Sequence, residues 1–303
     1  MLKTLQRDKL WLVTQPDHAQ VAGYLAAHWG NDDFVRPGYY ATVPDSERLR
    51  AETMMAIAQH DNGWWEWEAS PELTDVDGFP SGLAEVLKDQ QEGMNRWRTG
   101  LARFDNRPYV NLLISHHGYW LYAAKVQPSP DPAFVHPLFW NRAPEELFPG
   151  DRKVEVEFIV ELESLRQRWI DELRADSATA SWVEPANYNP HGRLLQLLDG
   201  LSLSLCSALI PVRNGEAKGL GRDAFELRHV PRQSWDDRVT IEVSPSEECR
   251  IILDPYPFDL DPLPVSVPAR VFKLPADRTG HFQTLWNARP VEMMEFLYSS
   301  AMG

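Results

Sequence analysis

Apolar residues recur every third or fourth position through most of the chain up to Cys206, the spacing of helices with one buried face. Val21, Leu25 and Trp29 predict a helix over about residues 17–29, with Asp17 in its N-cap region. Leu49, Met54, Ile57 and Ala58 predict a second, begun by Asp45 or Ser46 and stopped by Gly63, with His60-Asp61 toward its end. A third covers Leu83 to Arg103. Pro108 opens a fourth, where its missing N–H does no harm, and this runs through Leu113, His117 and Leu121. Phe158, Leu162, Leu165, Trp169 and Leu173 give the clearest amphipathic helix, and Asn189-Pro190 punctuates the approach to an apolar helix from Leu194 to Cys206. Residues 127–150, rich in proline and aromatics, read as an extended connection or lid.

After Pro211 the period shortens to two. Val239–Val243, Arg250–Leu253 and Val265–Phe272 read as strands, and the tail at 281–299 returns to helix. The expected fold is therefore mainly α: a helical bundle over residues 1–211, with a smaller β-rich C-terminal appendage, 212–303, packed on it.

Composition narrows the partners. A net charge of −14 argues against a nucleic-acid polymer or an anionic membrane, but leaves room for a small phosphorylated molecule beside a bound cation. Two cysteines, Cys206 and Cys249, can build neither a disulfide framework nor a thiolate-rich zinc site. Charges fill the stretch Met1 to Asp8, where an export signal needs apolar residues, and the apolar run Leu194–Val212 is broken by Asp199, Gly200, three serines and Pro211. A cytoplasmic protein is the expectation. Twelve tryptophans imply large aromatic packing units; Trp64, Trp65 and Trp67 pack in the core or wall a pocket.

The chemistry-bearing residues are few and far apart. Asp199 lies between Leu198 and Gly200-Leu201, where a buried carboxylate needs a cation, a cap or a salt bridge. With His18, His60 and Asp61 it offers two imidazoles and two carboxylates, a nitrogen/oxygen set suited to a divalent metal. As helix neighbours, His60 and Asp61 would diverge by about 100°, so they share an ion only near the helix end. Of His116-His117, the spacing puts His117 on the inward face with Leu113 and Leu121, with His116 the fallback. Lys125, Arg142 and Arg193 are candidate phosphate contacts. His136, His191, His229 and His281 show no partner spacing. No Walker-type loop, Gly-x-Ser-x-Gly elbow or His-Glu-x-x-His is present, and a lone Glu226-x-x-His229 does not make a ferritin-like centre.

Gln15-Pro16-Asp17-His18, His60-Asp61-Asn62-Gly63-Trp64, Ser115-His116-His117 and Leu197 to Cys206 resemble, in order and type, the HD superfamily of metal-dependent phosphohydrolases, within an uncharacterised bacterial HD-like family. The resemblance implies an HD-like helical metal-binding domain in which His18, His60, Asp61 and Asp199 hold one or two divalent ions (Mn, Fe, Co, Ni, Zn or Mg). It makes His117 a ligand to a second ion or a contact to substrate, and Asp61 the group that orients the nucleophile. Hydrolysis of a small phosphate ester or nucleotide is the implied activity. A non-catalytic ligand-binding module and a di-iron oxygenase on the same fold are the alternatives.

Overall fold

The computed structural model describes residues 1–74, 77–86, 90–126, 131–142, 152–246, 249–274 and 282–301. Its first element is one the hydrophobic pattern does not announce. Leu2–Gln6 (β1) and Lys9–Val13 (β2) pair antiparallel across Arg7-Asp8. Arg7 supplies the φ of 57° that such a turn needs, where glycine or asparagine gives the usual signal.

This hairpin joins the strands from the other end of the chain. Phe225–Pro231 (β3), Arg238–Pro245 (β4), Arg250–Asp254 (β5), Leu263–Lys273 (β6) and Glu292–Ser300 (β7) complete a seven-stranded sheet of order β1-β2-β6-β7-β5-β4-β3. Every pairing is antiparallel except β5 with β7. The expectation of a mainly α bundle with a small β-rich appendage is thereby overturned: the fold is mixed α/β with a large sheet. The tail also differs. Helix is confined to Phe282–Ala288, and Glu292-Met293-Met294-Glu295, good helix formers, extend as β7 because ladders on both sides and an alternating buried face outweigh propensity.

The helices fall close to their predicted places, with changes at the ends. α1 spans Gln15–Ala27; its N-cap is Thr14, whose hydroxyl accepts from Asp17 N at 3.1 Å, so Asp17 lies inside the first turn. α2 spans Ser46–Ala58, capped by Asp45. A 3-10 turn follows at Asn62–Trp64, then short α3 (Trp65–Ala69) and α4 (Leu83–Val86). α5 is Gln90–Arg103, α6 Pro108–Val126 and α7 Lys153–Ala175. The region read as a connection or lid holds two buried 3-10 turns, Pro132–Phe134 and Pro137–Phe139; its remainder at 127–130 and 143–150 lies outside the described residues. α8 runs Pro185–Cys206 and carries Pro190 within it rather than starting after it.

α8 is the axis of the molecule: every residue from Pro190 to Cys206 is buried, and it touches α1, α2, α6, β1 and β3. One apolar cluster joins helix residues such as Leu25, Leu113 and Leu198 to sheet residues such as Val243 and Val265. The start of α1 is fixed by a buried charge cluster. Glu68 accepts from Gln15 N at 2.6 Å and pairs with the Met1 amine at 2.6 Å. No described helix is long and apolar enough to cross a membrane.

Candidate metal centre

α2 stops at Ala58, so His60 and Asp61 sit in the link to the 3-10 turn rather than on the helix. Leaving helical geometry removes the divergence that two successive helical side chains would have. Gly63 lets this link lie against α5: a Cβ there would overlap the Arg96 carbonyl oxygen and come 3.2 Å from Gly100 N. The His60 ring is oriented by its Nδ1–H, which donates to the Ile57 carbonyl at 2.8 Å. In the neutral ring its Nε2 therefore carries the lone pair, 3.5 Å from Asp199 Oδ1 and 3.8 Å from Asp61 Oδ2.

His18 is held the same way from α1. The Ser202 hydroxyl donates to the Asp199 carbonyl at 2.9 Å, which leaves its oxygen to accept from His18 Nδ1–H at 3.0 Å. His18 Nε2 then faces Asp61 Oδ2 at 2.9 Å. Outer partners that fix a tautomer and aim the other nitrogen inward are the usual support of a metal-bound imidazole.

Asp199 joins two clusters. His18, His60 and Asp199 bring ligand atoms within 4.8 Å of one another, and so do His117, His136 and Asp199. Asp199 Oδ2 lies 3.2 Å from His117 Nε2 and 2.8 Å from His136 Nε2. Both groups are buried and can hold a metal ion. They are not equally prepared for one. In the first, His60 Nε2 and Asp199 Oδ1 are buried without a hydrogen-bond partner and 3.5 Å apart; a cation that replaces the proton of the His60 ring satisfies both. In the second, His136 Nε2 is likewise buried without a hydrogen-bond partner, 2.8 Å from Asp199 Oδ2, but the Leu138 backbone N–H donates to His136 Nδ1 at 3.1 Å, so a neutral ring carries its proton on Nε2 and offers an ion no lone pair there. His136 suits the holding of Asp199 better than metal ligation.

The electrostatics follow from this crowding. Burial opposes a proton on His60, but Asp61 and Asp199 outweigh it and raise its pKa to about 9. Burial also works against the Asp199 charge, yet the His117, His136 and His60 contacts hold its carboxyl well below the usual range. Burial lowers His117 to about 4 despite Asp199, with His60 and His136 adding to the shift.

α8 arranges the far side. Arg193 donates to the Val135 carbonyl at 2.8 Å and the Arg228 carbonyl at 2.6 Å, and Gln196 Nε2 donates to the Phe134 carbonyl at 2.9 Å. Gly200 admits Pro137, which a Cβ would meet at 2.6 Å. Together these clamp the segment that carries His136 onto the turn of α8 that carries Asp199. At the centre opens a pocket with about 670 Å³ of atom-free space, its mouth included; His18, Asp61, His117, His136 and Asp199 are among its lining residues. Its walls include Trp64, Leu83, Trp97, Leu121, Leu138 and Phe139.

The structure thus brings together His18, His60, Asp61, His117 and Asp199. His116 does not join them: its Nε2 accepts from Trp120 Nε1 at 3.0 Å and its ring packs against Gly192. Of the candidate phosphate contacts, Lys125 lines the pocket, Arg193 is a structural clamp, and Arg142 is not among the lining residues. Trp64 lines the pocket, Trp67 packs on it at 5.5 Å between ring centroids, and Trp65 is exposed beneath Arg103. His191 is held between Gly38 N–H and the Tyr109 hydroxyl, and His281 lies outside the described residues. His136 is the site residue that sequence spacing misses; its only signal is its place before Pro137, as the cap of a 3-10 turn.

Residues 1–273 match a protein family of unknown function, DUF3891. The chain belongs to that family. All six side chains of the centre fall within the matched stretch. No curated protein and no solved structure matches the chain.

Proposed function

We propose that the protein is a metal-dependent phosphohydrolase acting on a small phosphate ester or nucleotide, with one divalent ion held by His18, His60, Asp61 and Asp199. The observation that supports this most is the buried, unpartnered pair His60 Nε2 and Asp199 Oδ1 beside the His18–Asp61 contact, at a pocket lined by His18, Asp61 and Asp199. The order of these residues along the chain resembles that of the HD superfamily. When bound, a divalent ion lowers the pKa of a water and polarises a phosphoryl oxygen.

The chain's own residues supply the rest. Asp61, partly solvent-accessible where the other ligands are buried, orients the attacking water and accepts its proton. His117, neutral at pH 7, donates an N–H to a phosphoryl oxygen. His136 stands beside Asp199, its Nε2 2.8 Å from Oδ2. Trp64 and Trp97 keep bulk water from the reacting group.

The test is elemental analysis of the purified protein together with phosphate release from monoester and diester panels under Mn²⁺, Co²⁺, Ni²⁺, Fe²⁺ and Mg²⁺. Expected are bound metal, hydrolysis with at least one ion, and loss of both in Asp61→Ala. Metal-loaded protein that releases no phosphate from any substrate rejects the hydrolase. Oxygen consumption by an iron-loaded sample would put an oxygenase in its place.

A further inference from the structure

Gln15 opens α1 three positions before His18, so the two side chains leave one face of the helix, about 4.5 Å apart along its axis. Both residues line the pocket at the metal centre. The local duties of a residue at a helix start are met by other atoms. Gln15 N–H donates to Glu68, Pro16 has no N–H, and the N–H groups of Asp17 and His18 donate to the Thr14 hydroxyl and carbonyl at 3.1 Å and 3.2 Å. The end of α1 therefore keeps no free N–H for an anion, and the Gln15 carboxamide is not needed as a cap. Gln15 is nonetheless only 2% exposed, and its Oε1 is buried without a hydrogen-bond partner. The lining beyond the centre supplies no donor to it: Leu83, Leu121, Phe139 and Leu203 are apolar, and the Lys125 ammonium is engaged elsewhere, 4.3 Å from the Tyr122 ring centroid and in the field of the buried Glu155. An unpaired buried amide oxygen costs folding free energy that a donor entering the pocket recovers.

We infer that Gln15 reads the substrate: its Oε1 accepts a hydrogen bond from a hydroxyl group on the alcohol part of the phosphate ester. This rests on the hydrolase reading for the phosphoryl end only. The helix sets where that hydroxyl belongs. With the phosphoryl group beside His18, the step of about 4.5 Å toward Gln15 is the span of a hydroxyl on the carbon next to the ester carbon. The rest of the alcohol part meets apolar side chains, so the substrate class is a small vicinal hydroxyalkyl phosphate with an otherwise apolar body. An ester of the same size without the hydroxyl leaves the amide oxygen buried and unpaired, and is discriminated against for that reason.

Non-hydrolysable probes separate this from turnover. Calorimetric titration of the Mn²⁺-loaded full chain compares propylphosphonate with 2-hydroxypropylphosphonate, for the wild type and for Gln15→Met. The wild type is expected to bind the hydroxylated probe about tenfold tighter. In Gln15→Met that advantage disappears while propylphosphonate binds as before, which also shows the variant to be folded. Equal binding of the two probes by the wild-type chain overturns the inference even if Gln15→Met does not fold. A preference that survives in the folded variant overturns it too, because the ion then holds the hydroxyl. Equal weakening of both probes in the variant assigns the carboxamide to a bound water and likewise overturns it. If the preference is present and lost as expected but 2-hydroxypropyl phosphate is not hydrolysed, the role of Gln15 stands and the hydrolase falls. Hydrolysis of propyl and 2-hydroxypropyl phosphate with equal kcat/KM keeps the hydrolase and removes that role.

Discussion

On the proposed ligation, His60 makes the metal-free protein a proton donor when an ion enters. Its folded pKa is raised to about 9, against about 6.5 for an ordinary histidine. At pH 7.5 that ring is protonated by about 30 to 1, and a ligand must be neutral, so filling the site expels about one proton from His60. The competition weakens apparent metal affinity at pH 7.5 by about 30-fold, or about 2 kcal/mol, relative to a pH above 9. The sign for stability is the usual one for a raised histidine. The protonated ring stabilises the metal-free fold fully below pH 6.5, and that contribution is lost as pH rises through 9. The stabilisation conferred by the ion should therefore grow with pH across the same window. His117 contributes nothing there, because at about 4 it is already neutral. The assay is calorimetric titration with Mn²⁺ at pH 7.5 in buffers of different ionisation enthalpy, for the wild-type chain and for His60→Gln. Proton release should fall by about one between them. A difference below about half a proton, or an affinity flat from pH 7 to 9, refutes the reasoning.

Elemental analysis should find one ion per chain, because His136 presents a protonated Nε2; two ions would overturn that tautomer. His136→Gln should keep the ion with about 10- to 100-fold weaker affinity, as for loss of a group that orients a ligand. Asp199→Asn should abolish binding, a loss beyond about 100-fold, read by equilibrium dialysis. Gly63→Ala forces the 60–64 link off α5 and should cost at least about 3 kcal/mol in denaturant unfolding while also lowering metal content. Glu68→Gln leaves the buried Met1 amine without its counter-charge, and about 3 kcal/mol of stability should go with it; an unchanged midpoint would show that the ion pair contributes nothing.

The helices were legible because each carries its own evidence: an apolar stripe, a capping residue, a proline at the first turn. α6 and α7 need nothing from elsewhere to be recognised. The sheet was not, because its evidence lies in partners distant along the chain. β1 and β2 are five residues each, turn without glycine or asparagine, and acquire their meaning only when Leu10 to Lys9 meet Phe272 to Lys273 on β6. β7 has helix-forming residues and becomes a strand because β5 and β6 leave a gap of its width. Local propensity had no access to either fact.

The centre divides along the same line. Asp199 stood out because a carboxylate in an apolar helix violates local pattern, and such a violation demands a compensating partner. His60-Asp61 is visible as a doublet, but its geometry depends on α2 ending at Ala58, two positions before His60, which sets the two side chains free to converge. His136 broke no pattern. A histidine before proline is an ordinary turn cap, and nothing local distinguishes it until Arg193 and Gln196 pull its segment against α8. The residues that disturb their own surroundings were readable; the one whose role comes entirely from tertiary placement was not. For a centre built from six side chains on five separate segments, the residue set read from sequence is a minimum. The missing members should be sought in buried turns clamped by long polar side chains from the central helix.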